Sequence, residues 1–258
     1  MEFNLKTILK CASASYEGSL FGWDMLTNEA DGSLALDMKY GFHCSRGSIK
    51  CICISPNGRY LVCGSSNEKI HIYDMKTMKS IGDLTKHTGA ITCLEFVDNM
   101  FLISGSEDNT ICIWRVHDWQ CLHILGGHKE AVNDISIHPS GKVALSVGKD
   151  TTLRMWNLIT GKCAFTRSLK DVPTNICWNT IDGGLHYLVV FNNKVKNYTS
   201  TDNVCVSTIE KSRYVRVSQA EYYRNGAGEE RIVVLYDDKY LSMYAYDGTM
   251  VSIYVVYI

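Results

Sequence analysis

The chain has 258 residues, of which 46% are hydrophobic and 21% are charged. A chain of this length and composition can bury a substantial core within a single domain. The formal net charge of −1 at pH 7 argues against a strong electrostatic attraction to nucleic acid or to an anionic membrane.

The first predicted element is a partial repeat over residues 5–42. Its strand-like segments include the dipeptide Trp23-Asp24, which stands at the end of the repeat. Glu17 lies six residues before Trp23. The first strand of this unit is missing from the sequence. In ring-shaped β-proteins such a strand is often supplied by the other end of the chain, which closes the ring.

Residues 47–83 form the first complete unit, with four predicted strands. The tetrapeptide SPNG at residues 55–58 is a strong turn signal between the first two strands. The unit ends on Tyr73, and Cys63 and Asn67 occupy positions at which the following units carry Ser and Asp. This unit therefore keeps the strand pattern but departs from the polar pattern.

Two further units, over residues 87–126 and 128–169, share one polar pattern. Each begins with a histidine, has a serine on its second strand and an aspartate in the next turn, and closes on a tryptophan six residues later. The two sets are His87, Ser104, Asp108 and Trp114, and His128, Ser146, Asp150 and Trp156. The tryptophans are 42 residues apart, and a period of about 40–45 residues with these markers is typical of WD40 propeller blades.

Two weaker units complete the chain. Residues 174–210 keep the strand rhythm without the His and Asp markers, and Tyr198 is predicted at the position of Trp156. Residues 213–258 begin a sixth unit that we expect to be incomplete. Its last segment is uncharged, β-branched and aromatic, so we expect unpaired strand edges there to promote aggregation. The sequence thus predicts one all-β WD40 propeller domain over residues 1–258, with about five to six blades of four short strands.

The polar markers have two readings. A Ser-His-Asp set could be a catalytic triad. The alternative is structural, since the markers resemble the hydrogen-bonded His-Ser-Asp-Trp network of WD40 blades, in which both imidazole nitrogens and the indole N–H find partners. The repetition of the whole set after 42 residues, each time with a tryptophan, favours the structural reading.

Other patterns for binding sites are weak. Cys51 and Cys53 share one strand face, and His117, Cys121 and His123 lie near a predicted hairpin, but neither group has the paired spacing of a zinc site. The sequence contains neither a GxxxxGK[ST] phosphate loop nor a GxGxxG motif after a strand. We therefore predict no catalytic residue, no metal and no cofactor.

Cysteine usage and hydropathy bear on the compartment. The 11 cysteines are spread along the chain, several of them at apolar strand positions, which favours buried free thiols in a reducing compartment. The N-terminus lacks the apolar segment of a signal peptide, and no apolar run reaches the roughly 18 residues of a membrane helix. We expect an intracellular protein without a membrane partner.

Four segments go beyond the general WD40 pattern: HIYDMK at 71–76, GAITCLEF at 89–96, LISGSEDNTICIW at 102–114 and IHPSGKVALSVGKDTTLRMWNL at 137–158. Together they resemble the p21-activated-kinase-interacting protein family, which includes a nucleolar WD-repeat factor used in assembling the large ribosomal subunit. The resemblance implies a seven-bladed propeller followed by a Lys-rich tail. Seven blades need roughly 280–315 residues, so we expect this chain to be C-terminally truncated.

The same resemblance implies a function. It predicts a non-enzymatic scaffold for large (60S) ribosomal subunit biogenesis and pre-ribosomal RNA processing, located in the nucleus and nucleolus. Its partners would be assembly factors of the pre-large-subunit particle, with direct RNA contact left open by the net charge. The alternative is a negative regulator that binds p21-activated kinase directly. An enzyme with a propeller core is the contrasting class, which no motif supports.

Partner contacts are predicted on one rim of the ring. In WD40 proteins, the turns that precede the marker aspartates usually line the rim on which partners most often dock. Here those positions are Glu107 and Lys149, and Lys50, Thr92 and Asn133 lie on the adjoining first strands. The alternative, that all five are ordinary solvated side chains, stays open at the level of sequence.

Overall fold

The computed structural model describes residues 5–15, 17–28, 34–43, 47–77, 79–211 and 214–255. Within these ranges the chain consists of strands and turns, without a helix. A search of the same ranges therefore finds no helical segment that could cross a membrane.

The strands form six antiparallel sheets that follow one another along the chain. The first sheet has three strands, β1 (Leu5–Ala14), β2 (Ser19–Asn28) and β3 (Leu34–His43). The second contains β4 (Ile49–Ile54), β5 (Tyr60–Ser65), β6 (Ile70–Asp74) and β7 (Lys79–Leu84). The third contains β8 (Ile91–Val97), β9 (Phe101–Ser106), β10 (Thr110–Arg115) and β11 (Gln120–Gly126).

The remaining three sheets also have four strands each. The fourth contains β12 (Val132–Ile137), β13 (Val143–Gly148), β14 (Thr152–Asn157) and β15 (Lys162–Ser168). The fifth contains β16 (Pro173–Trp178), β17 (His186–Phe191), β18 (Lys194–Thr199) and β19 (Cys205–Glu210). The sixth contains β20 (Val217–Arg224), β21 (Glu230–Tyr236), β22 (Tyr240–Tyr244) and β23 (Met250–Val255). This six-blade arrangement confirms the predicted all-β propeller.

The sixth blade differs from the prediction. Its four strands pair in the order β20-β21-β22-β23, so the expectation of an incomplete unit over residues 213–258 is wrong for the residues that the structure describes. Residue 213 and residues 256–258 lie outside the described ranges. The prediction assigned three strands to this blade and left out the last segment, whereas Met250–Val255 of that segment forms the fourth strand.

The first blade has three strands in the described part of the chain. The sequence pattern predicted that its first strand would be missing, and in propellers such a strand is often supplied by the other end of the chain. Met250–Val255 instead pairs with β22, as the outermost strand of the sixth blade. The C-terminal segment is therefore used within its own blade.

Neighbouring blades pack face to face through apolar side chains. Ile103 and Ile111 of the third blade form one buried cluster with Val132, Ile135 and Trp156 of the fourth blade. Because a blade in this position has a neighbour on each side, both faces of its strands are apolar. The buried positions of β9, from Leu102 onwards, are consecutive rather than alternating for this reason.

Polar side chains on the inner strands bind the backbone of the next blade. Glu95 Oε2 accepts a hydrogen bond from the Ile137 N–H at 3.1 Å, and Asp134 Oδ2 accepts one from the Ile176 N–H at 2.9 Å. Burial raises the pKa of Glu95 to about 8 and that of Asp134 to about 6, although these hydrogen bonds act in the opposite direction. The blades are therefore joined by polar contacts as well as by the apolar core.

The third and fourth blades approach each other closely at Gly105, so a methyl group added there should disturb their packing. A Cβ at Gly105 would lie 2.6 Å from Cys93 Sγ and 2.9 Å from Val132 Cγ1. Gly105→Ala should therefore lower the free energy of unfolding by about 1–3 kcal/mol through overpacking. Gly126→Ala is the matched control, since a Cβ there meets nothing within 4 Å. Urea denaturation midpoints that shift equally for the two variants would contradict this account of the packing.

Candidate functional site

The first polar tetrad lies in the third blade. His87 Nδ1 is 2.8 Å from Asp108 Oδ2, and His87 Nε2 is 2.8 Å from Ser104 Oγ. The Trp114 indole N–H donates to the same hydroxyl oxygen at 2.8 Å. An ionised carboxylate can only accept, so Nδ1 carries the proton, and Nε2 accepts from the serine O–H. Each polar group of the tetrad thus has a partner.

The second tetrad repeats this geometry in the fourth blade. His128 Nδ1 is 3.1 Å from each carboxylate oxygen of Asp150, and His128 Nε2 is 2.7 Å from Ser146 Oγ. The Trp156 indole N–H donates to Ser146 Oγ at 2.8 Å. The same hydrogen-bonding arrangement therefore serves two adjacent blades.

Each tetrad aspartate also holds two backbone segments together. Asp108 Oδ1 accepts from the Thr110 N–H at 2.9 Å and from Thr110 Oγ1 at 2.6 Å, while Oδ2 accepts from the Thr88 N–H at 3.0 Å. Thr152 bonds Asp150 in the same way. These threonines were missed at the level of sequence, although an Asp-x-Thr spacing common to both units could have revealed them.

Electrostatics favour ionised aspartates in both tetrads and a neutral imidazole at His128. Burial alone would raise the pKa values of Asp108 and Asp150, but their hydrogen bonds outweigh it and leave both pKa values below the usual range. Burial lowers the pKa of His128, and this effect exceeds the opposing influence of Asp150. At neutral pH the second tetrad is therefore a hydrogen-bonded network rather than an ion pair.

The arrangement does not suit nucleophilic catalysis. Ser104 and Ser146 are fully buried, with 0% of their surface exposed. A catalytic serine must reach its substrate, and each of these hydroxyls is enclosed between an imidazole and an indole. The geometry therefore favours the structural reading of the Ser-His-Asp sets.

Other blades retain parts of the pattern. The Trp23 indole N–H donates to Ser13 Oγ at 3.1 Å, across the same ten-residue interval that separates Ser104 from Trp114. Ser13 was missed because the sequence pattern was searched from the histidine and aspartate markers. A search for serine ten residues before each terminal tryptophan would have found it.

The second and fifth blades use different contacts. In the second blade, His71 Nδ1 lies 2.7 Å from Asp83 Oδ1, and Cys63 at the serine position is fully buried. In the fifth blade, Tyr198 has the strand register of Trp156 and stacks on Tyr187, with ring centroids 5.3 Å apart. Aromatic packing there replaces the polar network.

Glu107 and Lys149 occupy equivalent turns in adjacent blades. Each precedes a tetrad aspartate and is exposed. The Glu107 N–H donates to the Ala90 carbonyl at 2.9 Å, and the Lys149 N–H donates to the Ala131 carbonyl at 2.8 Å. The backbone of both turns is therefore fixed against the loop that enters the blade, while the charged side chains reach solvent.

The other three predicted contact residues have different environments. Lys50 is exposed on β4, whereas Thr92 is half-buried, with its hydroxyl 3.7 Å from Cys93 Sγ. Asn133 is also half-buried, and its Nδ2 donates to the Pro173 carbonyl of the next blade at 2.7 Å. Asn133 therefore contributes to the contact between blades, and Glu107 and Lys149 are the better candidates for a partner.

The positions of the His, Cys, Asp and Glu side chains also bear on metal binding. Within the described ranges, no group of three His, Cys, Asp or Glu side chains is arranged to hold a metal ion. Burial raises the pKa of Cys53 to about 11, and it raises the pKa of Cys51 further. Both thiols are thus protonated at neutral pH.

Comparison with known proteins identifies the repeats. The WD domain, G-beta repeat family matches residues 38–74, 78–115 and 119–157. The matched segments span parts of the first four blades and include both tetrads. A WD40 propeller is generally a non-enzymatic scaffold, and the match indicates no enzymatic family.

Longer relatives extend the similarity over most of the chain. A Xenopus laevis protein named p21-activated protein kinase-interacting protein 1-like is 37% identical over 241 residues, which cover 92% of this chain and 63% of the relative. The Homo sapiens p21-activated protein kinase-interacting protein 1 is 37% identical over 237 residues, covering 89% of this chain and 59% of the relative.

A yeast protein is similar over a shorter region. Protein MAK11 of Saccharomyces cerevisiae is 38% identical over 150 residues, which cover 52% of this chain and 36% of the relative. The chain thus spans less than two thirds of the length of the relatives named here. These similarities confirm the resemblance that the four sequence segments indicated.

The tetrad geometry predicts unequal effects of two equivalent substitutions. Asp108→Ala removes the partner of His87 and two backbone hydrogen bonds, and should lower the free energy of unfolding by about 1–3 kcal/mol. Asn67→Ala should cost less, because its blade has Cys63 at the serine position and so lacks the complete tetrad. Denaturant midpoints of the purified variants measure the difference. Near-zero shifts for both variants would overturn the stabilising role of the tetrad.

Proposed function

We propose that this chain, which belongs to the p21-activated-kinase-interacting protein family of WD40-repeat proteins, is a non-enzymatic scaffold for assembly of the large (60S) ribosomal subunit. It acts in the nucleolus by binding other assembly factors of the pre-large-subunit particle and so supports pre-ribosomal RNA processing. The family resemblance is the observation that carries the ribosomal part of this proposal.

The geometry of the rim supports a docking role. Glu107 and Lys149 are exposed, but the backbone of each turn is held by hydrogen bonds and is adjacent to a tetrad aspartate. A fixed turn loses little conformational entropy when a partner binds, so more of the contact energy contributes to affinity. Two such turns in neighbouring blades form a rigid platform with one acidic and one basic side chain.

The charge of the chain supports protein partners over RNA. Its formal net charge is −1, with 26 Lys and Arg against 27 Asp and Glu. Affinity for RNA usually depends on many cationic contacts to phosphate. We therefore propose that contacts within the pre-ribosomal particle are mainly protein–protein.

Kinase binding is the alternative function. The Xenopus and human relatives are named for interaction with p21-activated protein kinase. In this alternative the propeller restrains the kinase by direct binding, and the same exposed rim provides the contact surface. The two functions differ in their cellular consequence rather than in the fold that they require.

Depletion of the protein from cells separates the two functions. The ribosomal proposal predicts that precursor ribosomal RNA accumulates and that the ratio of large to small subunits falls on a sucrose gradient. Re-expression of the protein should restore both. A normal subunit ratio together with raised p21-activated-kinase activity would reject the ribosomal proposal and favour kinase restraint.

The contact surface can be tested on the purified chain. Glu107→Lys combined with Lys149→Glu should weaken capture of assembly factors from nuclear extract, because both charges of the rim are reversed. The melting temperature should not change, since both side chains are exposed. Lys142→Glu provides the control, as Lys142 is exposed in the β12–β13 turn at the other end of the fourth blade. Unchanged capture by the double variant would show that the partners bind another face of the propeller.

A further inference from the structure

The outermost strand of the sixth blade is unusually apolar for a sheet edge. β23 lies at the end of the strand order in its sheet, so in the described part of the chain one of its sides has no neighbouring strand in that sheet. Five of its six side chains are hydrophobic residues with about half of their surface exposed: Met250 58%, Val251 53%, Ile253 44%, Tyr254 52% and Val255 49%. The remaining residue, Ser252, is uncharged.

The outer strands of the other five blades provide an internal comparison. Four of them contain at least one Asp, Glu, Lys or Arg side chain, among them Asp37 in β3, Asp83 in β7, Arg167 in β15 and Glu210 in β19, and the fifth, β11, contains His123. Charged residues at a sheet edge hinder pairing with a strand from another molecule. β23 lacks this protection, although it occupies the same position in its blade.

We propose that β23 is a homodimer interface, at which it pairs antiparallel with β23 of a second copy of this chain. The proposal is independent of the ribosomal or kinase function. A twofold axis perpendicular to the sheet, midway between the two Ile253 residues, places their side chains opposite each other. The same axis places Val251 of each copy opposite Val255 of the other. The two four-stranded blades become one continuous sheet.

The second copy suits this edge because the strand is complementary to itself. Antiparallel pairing satisfies backbone N–H and C=O groups on both strands, and no pair of like charges is brought together. The chain's net charge of −1 adds little repulsion between the copies. The pairing also closes the interface, since each copy contributes its one β23 strand and the symmetric contact does not propagate.

The interface is small, which determines the strength of the association. Six residues from each copy bury much less than the roughly 800 Å² per partner of a standard stable interface. The dimer should therefore be weak, with monomer and dimer exchanging at equilibrium. Sedimentation velocity over a concentration series should show a sedimentation coefficient that rises from the monomer value toward the dimer value.

A charge-exchange experiment tests the identity of the partner strand. Ile253→Lys and Ile253→Glu should each abolish the concentration dependence, because like charges then face each other across the twofold axis. An equimolar mixture of the two variants should associate again, with Lys opposite Glu. Val206→Lys on β19 is the matched control, since Val206 is also a 44% exposed residue of an outer strand, and it should leave the dimer intact.

The outcomes distinguish the homodimer from a stable monomer and from open-ended aggregation. Thermal unfolding followed by circular dichroism should show that all variants fold. A wild-type chain that stays monomeric throughout the series would overturn the proposal, as would a mixture of the Lys and Glu variants that does not associate. Polydisperse growth beyond the dimer would also overturn it, because pairing through β23 ends at two copies.

Discussion

In a blade that lies between two others, burial of the sheet on both of its faces is the constraint on which the rest of its structure depends. A blade between two neighbours has no solvent-exposed face. Polar side chains must therefore be absent from its strands or fully hydrogen-bonded. The consecutive buried positions of β9 and β13 show the first solution. The tetrads show the second, since an unpaired polar group in the same place would cost about 1–3 kcal/mol.

The tetrads connect the core of a blade to its rim. Trp114 is packed between blades, its indole bonds Ser104, and the chain of hydrogen bonds then passes through His87 to Asp108. The aspartate in turn holds the hairpin turn in which Glu107 lies. The packing between blades therefore determines the position of an exposed charge, which is what a docking surface requires of a scaffold.

The fold could be predicted from the sequence because each blade of a propeller meets the same packing constraint, which produces a repeated residue pattern. The 42-residue interval and the paired His, Ser, Asp and Trp markers located the third and fourth blades and their hydrogen bonds. The same reasoning failed for a blade that meets the packing constraint with other residues. The sixth blade uses a bond between Tyr236 Oη and Tyr244 Oη at 2.9 Å.

Some contacts could not be predicted because they depend on which blade lies alongside. Asn133 was placed on the rim from its position on a first strand, yet its amide bonds the Pro173 carbonyl across the blade interface. Glu95 and Asp134 likewise bond backbone N–H groups of the next blade. A one-dimensional pattern gives the position of these residues within a blade, but the partner atom lies about one repeat further along the chain.

The division between core and surface also bears on where partners could bind. In the third and fourth blades, the Ser, His and Asp markers are used in the tetrads, and the serine hydroxyls are enclosed. The turns beside the tetrad aspartates and the outer strands are exposed places where a partner could bind. Variation at those places costs the core little, because exposed substitutions usually change stability by less than about 0.5 kcal/mol. A propeller can thus acquire a new partner surface without altering the packing between its blades.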